Sequence, residues 1–293
     1  MKTVSKLTKN DPGMNSSIDK TTIYTARAIN KQNWIVMFVE LWDARELVWR
    51  LMIRDFSVRY RQSVLGYVWA VLPQIVTVAI FTFLSRHRVF DMGETALPYV
   101  IHALWSISVW QLFSSCLVGC TNSLVNAGSL VTKINFPKEA LVIAAVGQGV
   151  VDFLIRLLPV TVVFIWFEFL PSWHAVAIPL LLLAVMMMAI GVGFFMAIIN
   201  LVLRDAGNAI SMLLTFGMFL APILYPPPIR EPFVVVNYLN PFSPLLIATQ
   251  RLLAGQEIVF FTSLIVALVL SVTLFFLGWR VFHITMPRVA ERA

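Results

Sequence analysis

The chain has 293 residues, of which 59% are hydrophobic and only 13% charged, with a net charge of +7. A soluble domain carries about 25% charged residues. So few charges cannot cover a globular surface, and a mean hydropathy of +0.83 places the chain in a membrane. The basic excess would point to nucleic acid in a soluble protein. In a membrane protein it marks segments that flank spans on the cytoplasmic side, so no nucleic-acid partner is expected.

Residues 1–32 are polar without sustained periodicity and read as a flexible cytoplasmic tail. Residues 33–65 read as an amphipathic interface helix region. Asp43, Glu46, Arg50, Arg54, Ser57 and Arg61 recur every three or four residues, and Trp49, Met52, Ile53, Phe56 and Tyr60 fall on or near the other side. Glu46 with Arg50, and Asp55 with Arg59, are acid-before-base pairs at the favourable spacing. Such a helix lies in the membrane interface and contacts lipid.

Charge then disappears until Arg86. About 20 apolar residues cross a hydrocarbon core, and six stretches qualify: 66–84, 97–120, 140–167, 175–200, 208–224 and 259–279. The predicted fold class is an all-α integral membrane protein with six transmembrane helices. Pro73 and Pro159 lie inside spans and predict kinks. With the N-terminus inside, 17 of the 22 Lys and Arg residues fall on cytoplasmic segments and 4 outside, so both termini are expected in the cytoplasm. Residues 280–293 form the expected C-terminal tail.

The stretch from Pro222 to Gly255 holds seven of the fifteen prolines. It is apolar enough to enter the membrane, but Asn237, Asn240, Pro241 and Pro244 interrupt it. A crossing there would leave the basic C-terminus outside. A re-entrant helical hairpin from the external side satisfies both constraints. Broken backbone at membrane depth needs protein or a water-filled cavity beside it, so the hairpin is expected to line or close something.

Chemical motifs are absent. No G-x-x-x-x-G-K-[ST] phosphate loop occurs, and neither do G-x-S-x-G, H-E-x-x-H or paired C-x-x-C. Cys116 and Cys120 sit one helical turn apart and read as packing residues. His87, His102, His174 and His283 are scattered; His102, inside a span, either packs or faces a cavity. Asp152 and Arg156, four apart in the third span, either line a polar pathway or form a self-neutralising packing pair. Ala145-x-x-x-Gly149 permits close helix packing. Some of the many aromatic residues suit stacking on sugar rings.

The segment "LVWRLMIRDFSVRYRQSVLGYVWAVLPQI" carries a resemblance. It holds Arg54-Asp55, Arg59-Tyr60-Arg61-Gln62, Leu65-Gly66, Trp69 and Pro73. With "NAGSLVTKINFPKEAL" (126–141) and "LYPPPIREPFVVVNYLNPFSPLLIATQRLLAG" (224–255), it makes residues 45–280 resemble the permease subunits of ABC-2-type exporters. The resemblance is to those that export O-antigen, capsule or teichoic-acid-like polymers. Such permeases have six spans, a cytoplasmic coupling helix between spans two and three, and re-entrant helices before span six. The resemblance implies a homodimer in the bacterial cytoplasmic (inner) membrane. It implies two copies of a separate ABC ATPase, which binds ATP and Mg, and a lipid-linked polysaccharide substrate. No cofactor is expected in this chain, which would transport without catalysing.

Residues 66–279 then correspond to the ABC-2 transmembrane domain. Asn126, Lys133, Ile134, Asn135 and Phe136 fall in the implied coupling segment, with Arg204 and Asp205 as a second ATPase contact. Arg50, Arg54, Asp55, Arg59, Tyr60 and Arg61 mark the interface helix. Trp69, Pro73, Asp152, Arg156, Tyr225, Asn237, Asn240, Pro241 and Pro244 are channel or gate candidates. The alternatives are an ABC-2 permease for a drug or small lipid, and a secondary transporter, which would need coupling-ion groups or internal repeats. A membrane glycosyltransferase would need interfacial acidic residues, and these are sparse.

Overall fold

A computed structural model describes residues 34–60, 68–87, 95–128, 136–227 and 234–290. Side chains at 58–60, 70, 85–86, 234–236 and 287–290 are outside that description. Lys133, Ile134, Asn135 and Arg61, the side chains of Arg59 and Tyr60, and the expected tail at 1–32 therefore lie outside the described residues. The chain divides into two compact units, Met1–Arg45 and Glu46–Ala293.

In the first unit, α1 (Trp34–Asp43) exposes Ile35, Phe38, Val39 and Trp42. These recur at helical spacing and form one apolar stripe. The Arg45 guanidinium lies over the Trp42 ring and donates to the Trp42 carbonyl at 3.1 Å. That carbonyl would otherwise accept from residue 46 in a continuous helix. The expected single helix is therefore two, α1 and α2 (Arg45–Tyr60).

Along α2 the faces differ from the sequence reading. Leu51 is buried, and Met52 packs so closely on Gly147 that a Cβ there would overlap its sulfur. Trp49 and Ile53, however, are exposed together with Arg50 and Arg54. At about 100° per residue, Ile53 points only about 20° away from Glu46, so it belongs to the charged face. Glu46 and Arg50 pair at 2.6 Å as expected. Asp55 pairs with its neighbour Arg54 at 2.7 Å.

Among the described residues, four helices, or helix pairs, are long and apolar enough to cross a membrane. They are α4 (Tyr99–Ala127), α5 (Glu139–Trp166), a 3-10 turn (Trp173–Ala177) continuing into α6 (Ile178–Val202), and α10 (Phe261–Ala290). Two shorter apolar helices join them, α3 (Val68–Arg86) and α7 (Ala206–Gly217), the latter extended by a 3-10 turn (Met218–Leu220). Before α10 come α8 (Val234–Leu239) and α9 (Phe242–Ala254). No strand occurs among the described residues.

Small residues set the helix crossings. A Cβ on Gly119 would lie 3.3 Å from the Ala145 carbonyl, and one on Gly149 would lie 2.9 Å from the Cys116 sulfur. These contacts run α4 and α5 antiparallel and use the expected Ala145–Gly149 pair. One turn on from Cys116, α4 places Cys120 against Gly193 of α6, and Gly191 of α6 meets Gly278 of α10. Close backbone approach of this kind maximises dispersion contact where lipid offers no hydrophobic driving force. Both cysteines are free and buried, and act here as small packing residues.

Candidate functional site

At one end of the bundle α4 ends, α5 begins, α6 ends and α7 begins; this is the lower end. Asn126 is exposed in the last turn of α4, which closes on Gly128 at φ +52°, a left-handed conformation that suits glycine. Beyond the undescribed residues, Phe136 carries the Lys138 ammonium 4.1 Å above its ring. Burial pushes the Lys138 ammonium below its usual pKa, against the opposing pull of Glu139. Glu139, in the first turn of α5, is buried and meets His283 Nδ1 of α10 at 2.5 Å. The start of α5 is thus tied to the last helix.

Arg204 and Asp205 form the tight turn between α6 and α7, and both are exposed. Asp205 occupies the N-cap position of α7 but makes no side-chain cap. The cap comes from Asn200, 1% exposed in the last turns of α6. Its Oδ1 accepts from the Gly207 backbone N–H at 2.8 Å. Its Nδ2 donates to the Thr121 carbonyl at 3.0 Å and to Asn122 Oδ1 at 2.9 Å. One buried amide therefore joins the ends of α4, α6 and α7. The sequence reading passed over Asn200, Asn122 and Glu139; the available signal was an amide alone in the apolar run "MAIINLV".

In the middle of the bundle, Asp152 and Arg156 are 1% and 8% exposed and share one face of α5. Asp152 lies within electrostatic reach of the Cys116 thiol. Both charges therefore face protein within the chain. Trp69 and Pro73 lie on α3, where Trp69 is exposed and the Pro73 carbonyl accepts from the Thr77 hydroxyl at 2.8 Å. The next residue, Gln74, is buried and donates to the Leu104 carbonyl and the Ser108 hydroxyl of α4. Between α3, α4 and α5 opens a cavity of about 870 Å³ whose lining, from Val68 and Leu72 to Leu158 and Val162, is almost wholly apolar.

At the upper end, α7 and the chain after it run beside α4 along nearly its whole length. Gly207 lies at Asn122, Gly217 faces the Trp110 ring, and the Leu224 carbonyl accepts from the Tyr99 hydroxyl at 3.1 Å. Tyr225 donates to the Phe219 carbonyl at 3.0 Å. His102 is 1% exposed near the Tyr225 backbone. Packing, rather than an open cavity, surrounds it.

Helix α9 lies antiparallel to the upper half of α4. Gln250 donates to the Ser106 hydroxyl at 2.8 Å and to the Pro222 carbonyl at 3.3 Å. The Trp105 indole donates to the Thr249 hydroxyl at 2.9 Å. At the other end of α9, Phe242 packs on Trp110 and Phe113, about halfway along α4. Asn240 forms the turn: its Nδ2 donates to the Leu220 carbonyl and its Oδ1 accepts from the Phe242 N–H. Pro241 is the N-cap residue of α9, and Pro244 is buried in its first turn, where proline lacks no needed donor. Asn237 is buried on α8. The structure brings Tyr225, Asn240, Pro241 and Pro244 to one region and leaves Asp152 and Arg156 apart from it on α5. Among the described residues, no His, Cys, Asp and Glu cluster could hold a metal ion.

The model of the family described as ABC-2 type transporter matches residues 46–254. A curated protein named O-antigen export system permease protein RfbA, from Myxococcus xanthus, is 29% identical over 195 residues, covering 64% of this chain and 71% of that protein. One of the same name from Klebsiella pneumoniae is 26% identical over 248 residues, covering 81% of this chain and 91% of that protein. Another from Klebsiella pneumoniae is 23% identical over 202 residues, covering 68% and 76%. The matched segment runs from Glu46 in α2 to the last residue of α9 and takes in more than half the chain: this protein belongs to the ABC-2 type transporter family, as a multi-pass membrane transport subunit.

Proposed function

We propose that this chain is the permease of an exporter that moves a lipid-linked polysaccharide across the bacterial cytoplasmic membrane. ATP is hydrolysed on a separate subunit, and two copies of the chain act as a homodimer with two ATPases. The observation that carries the substrate class is the set of relatives named as O-antigen export permeases, together with the R-D…R-Y-R-Q…L-G…W…P segment at 54–73.

A six-span topology with both termini inside is supported by the course of α7 and the chain after it, which accompany α4 from Asn122 to Tyr99. The lower end is then cytoplasmic. Residues 126–136 and the Arg204–Asp205 turn meet the ATPase there, Phe136 as an apolar plug and Lys133 and Arg204 as charges. The α8–α9 hairpin is the external gate, supported by its tip reaching halfway along α4. Helices α1 and α2 lie in the interface, supported by the exposed Trp42, Trp49, Arg50 and Arg54.

The test is deletion of the gene with identification of what accumulates. Lipid-linked polymer on the cytoplasmic side is the expected result, and the tagged chain should co-purify with an ATPase while hydrolysing no ATP alone. Transport by the purified chain on an ion gradient, without any ATPase, would overturn the proposal.

A further inference from the structure

We infer that Asn200 is a positioning residue that makes the lower ends of α4, α6 and α7 move as one body. The inference rests on the export reading above for its purpose, but its geometry stands on its own. Three hydrogen bonds join one buried amide of α6 to two other helices: Thr121 and Asn122 in α4, and Gly207 at the start of α7.

The alternative for each group is unfavourable. The Gly207 N–H is one of the orphan donors of a helix start, and its natural cap, Asp205, does not take it. Gly207 is buried, so opening the clasp leaves its N–H donor without this acceptor. A Cβ on Gly207 would lie 2.6 Å from Asn122 Oδ1 and 3.1 Å from Asn200 Oδ1, so a larger residue there pushes the two amides out of place.

The mechanical consequence follows from what the clasp joins. Helix α4 ends on the exposed Asn126 and on Gly128. Helix α7 begins at the Arg204–Asp205 turn and passes Trp110 through Gly217, the same ring that grips Phe242. A push on the end of α4 or on the Arg204–Asp205 turn is carried through the Asn200 amide to both α4 and α7, and α7 delivers it to the region of the α9 tip. Asp205, released from capping, keeps its carboxylate exposed for a partner.

The experiment uses the full-length chain with its ATPase subunit in lipid nanodiscs, spin-labelled at the half-buried Val125 and the exposed Asn208, with and without Mg-ATP and orthovanadate. The labelled chain is diluted with unlabelled chain so that each dimer carries one labelled protomer, and the wild type should then give one narrow distance, the same in both states. Asn200→Ala and Gly207→Ala, which open the clasp from opposite sides, should broaden it or make it nucleotide-dependent. In cells both should lower surface polymer about tenfold, a typical coupling loss, while ATP hydrolysis by the complex stays within about twofold. The double variant should equal the singles, since both remove the same bonds. Thr215→Ala, on the exposed side of α7, should match wild type.

A distance that stays narrow in both variants overturns the inference. So does a parallel fall in export and hydrolysis, which would make Asn200 a folding residue only, or unchanged export. If no ATPase accompanies the wild-type chain, the export reading fails instead, and the distance measured on the chain alone still decides the clasp.

Discussion

The Phe242 ring meets the Trp110 ring edge to face, with centroids 5.0 Å apart. The favourable alignment of ring edge with ring face fixes the α9 tip at mid-length of α4, and Phe113 closes the cluster at 5.2 Å. Phe242 is buried, so Phe242→Ala is expected to cost roughly 3–5 kcal/mol. Thermal unfolding of the purified chain in lipid nanodiscs checks this. Amide exchange in residues 242–254 should rise in the same variant.

Glu139 and His283 form the second polar tie at the lower end. Removing either partner takes a buried polar contact from the other, at about 1–3 kcal/mol. The single variants Glu139→Ala and His283→Ala should each lower stability. The double variant should fall well short of their sum, and unfolding midpoints for the four-member cycle measure the coupling. Additive losses would mean that the two groups act separately.

Gly193 and Cys120 test the packing of α6 on α4. A methyl on Gly193 would overlap the Cys120 Cβ, and overpacking of this sort costs about 1–3 kcal/mol. Gly193→Ala should destabilise, and Cys120→Gly in the same chain should restore much of the loss by returning the lost volume. A double variant no more stable than Gly193→Ala alone would count against this contact.

Cys116 and Cys120 are also buried against neighbouring helices. A membrane-permeant maleimide should leave both unmodified in the native chain and label both after denaturation, as read by intact-mass spectrometry. Rapid labelling of the native chain would show that α4 is open to small molecules.

The spans were legible in the sequence because lipid demands long apolar runs, and α4, α5, α6 and α10 all fall on predicted stretches. The break between α8 and α9 was legible for a different reason. Asn240, Pro241 and Pro244 cannot sit within one straight apolar helix, and they occur at the turn and the first turn of α9. The break before α2 was not legible, since no proline or glycine marks it; the Arg45 side chain on the Trp42 carbonyl does. The polar ties were hidden as well. Gln250 and Ser106 are separated by 144 residues, as are Glu139 and His283, and Asn200 and Asn122 by 78. Composition flags a polar residue in an apolar run, but only the packed structure pairs it.

The polar groups of α9 also set an order of events during synthesis. Thr249 and Gln250 would be poorly solvated in lipid by themselves, and broken backbone at that depth needs protein beside it. Their partners, Trp105, Ser106 and Pro222, are all made earlier in the chain. When α9 leaves the ribosome, the partners of its polar groups are already made, while α10, which also packs on it, is still to come. The hydrogen bonds of α9 can therefore form before its last apolar neighbour arrives to cover it.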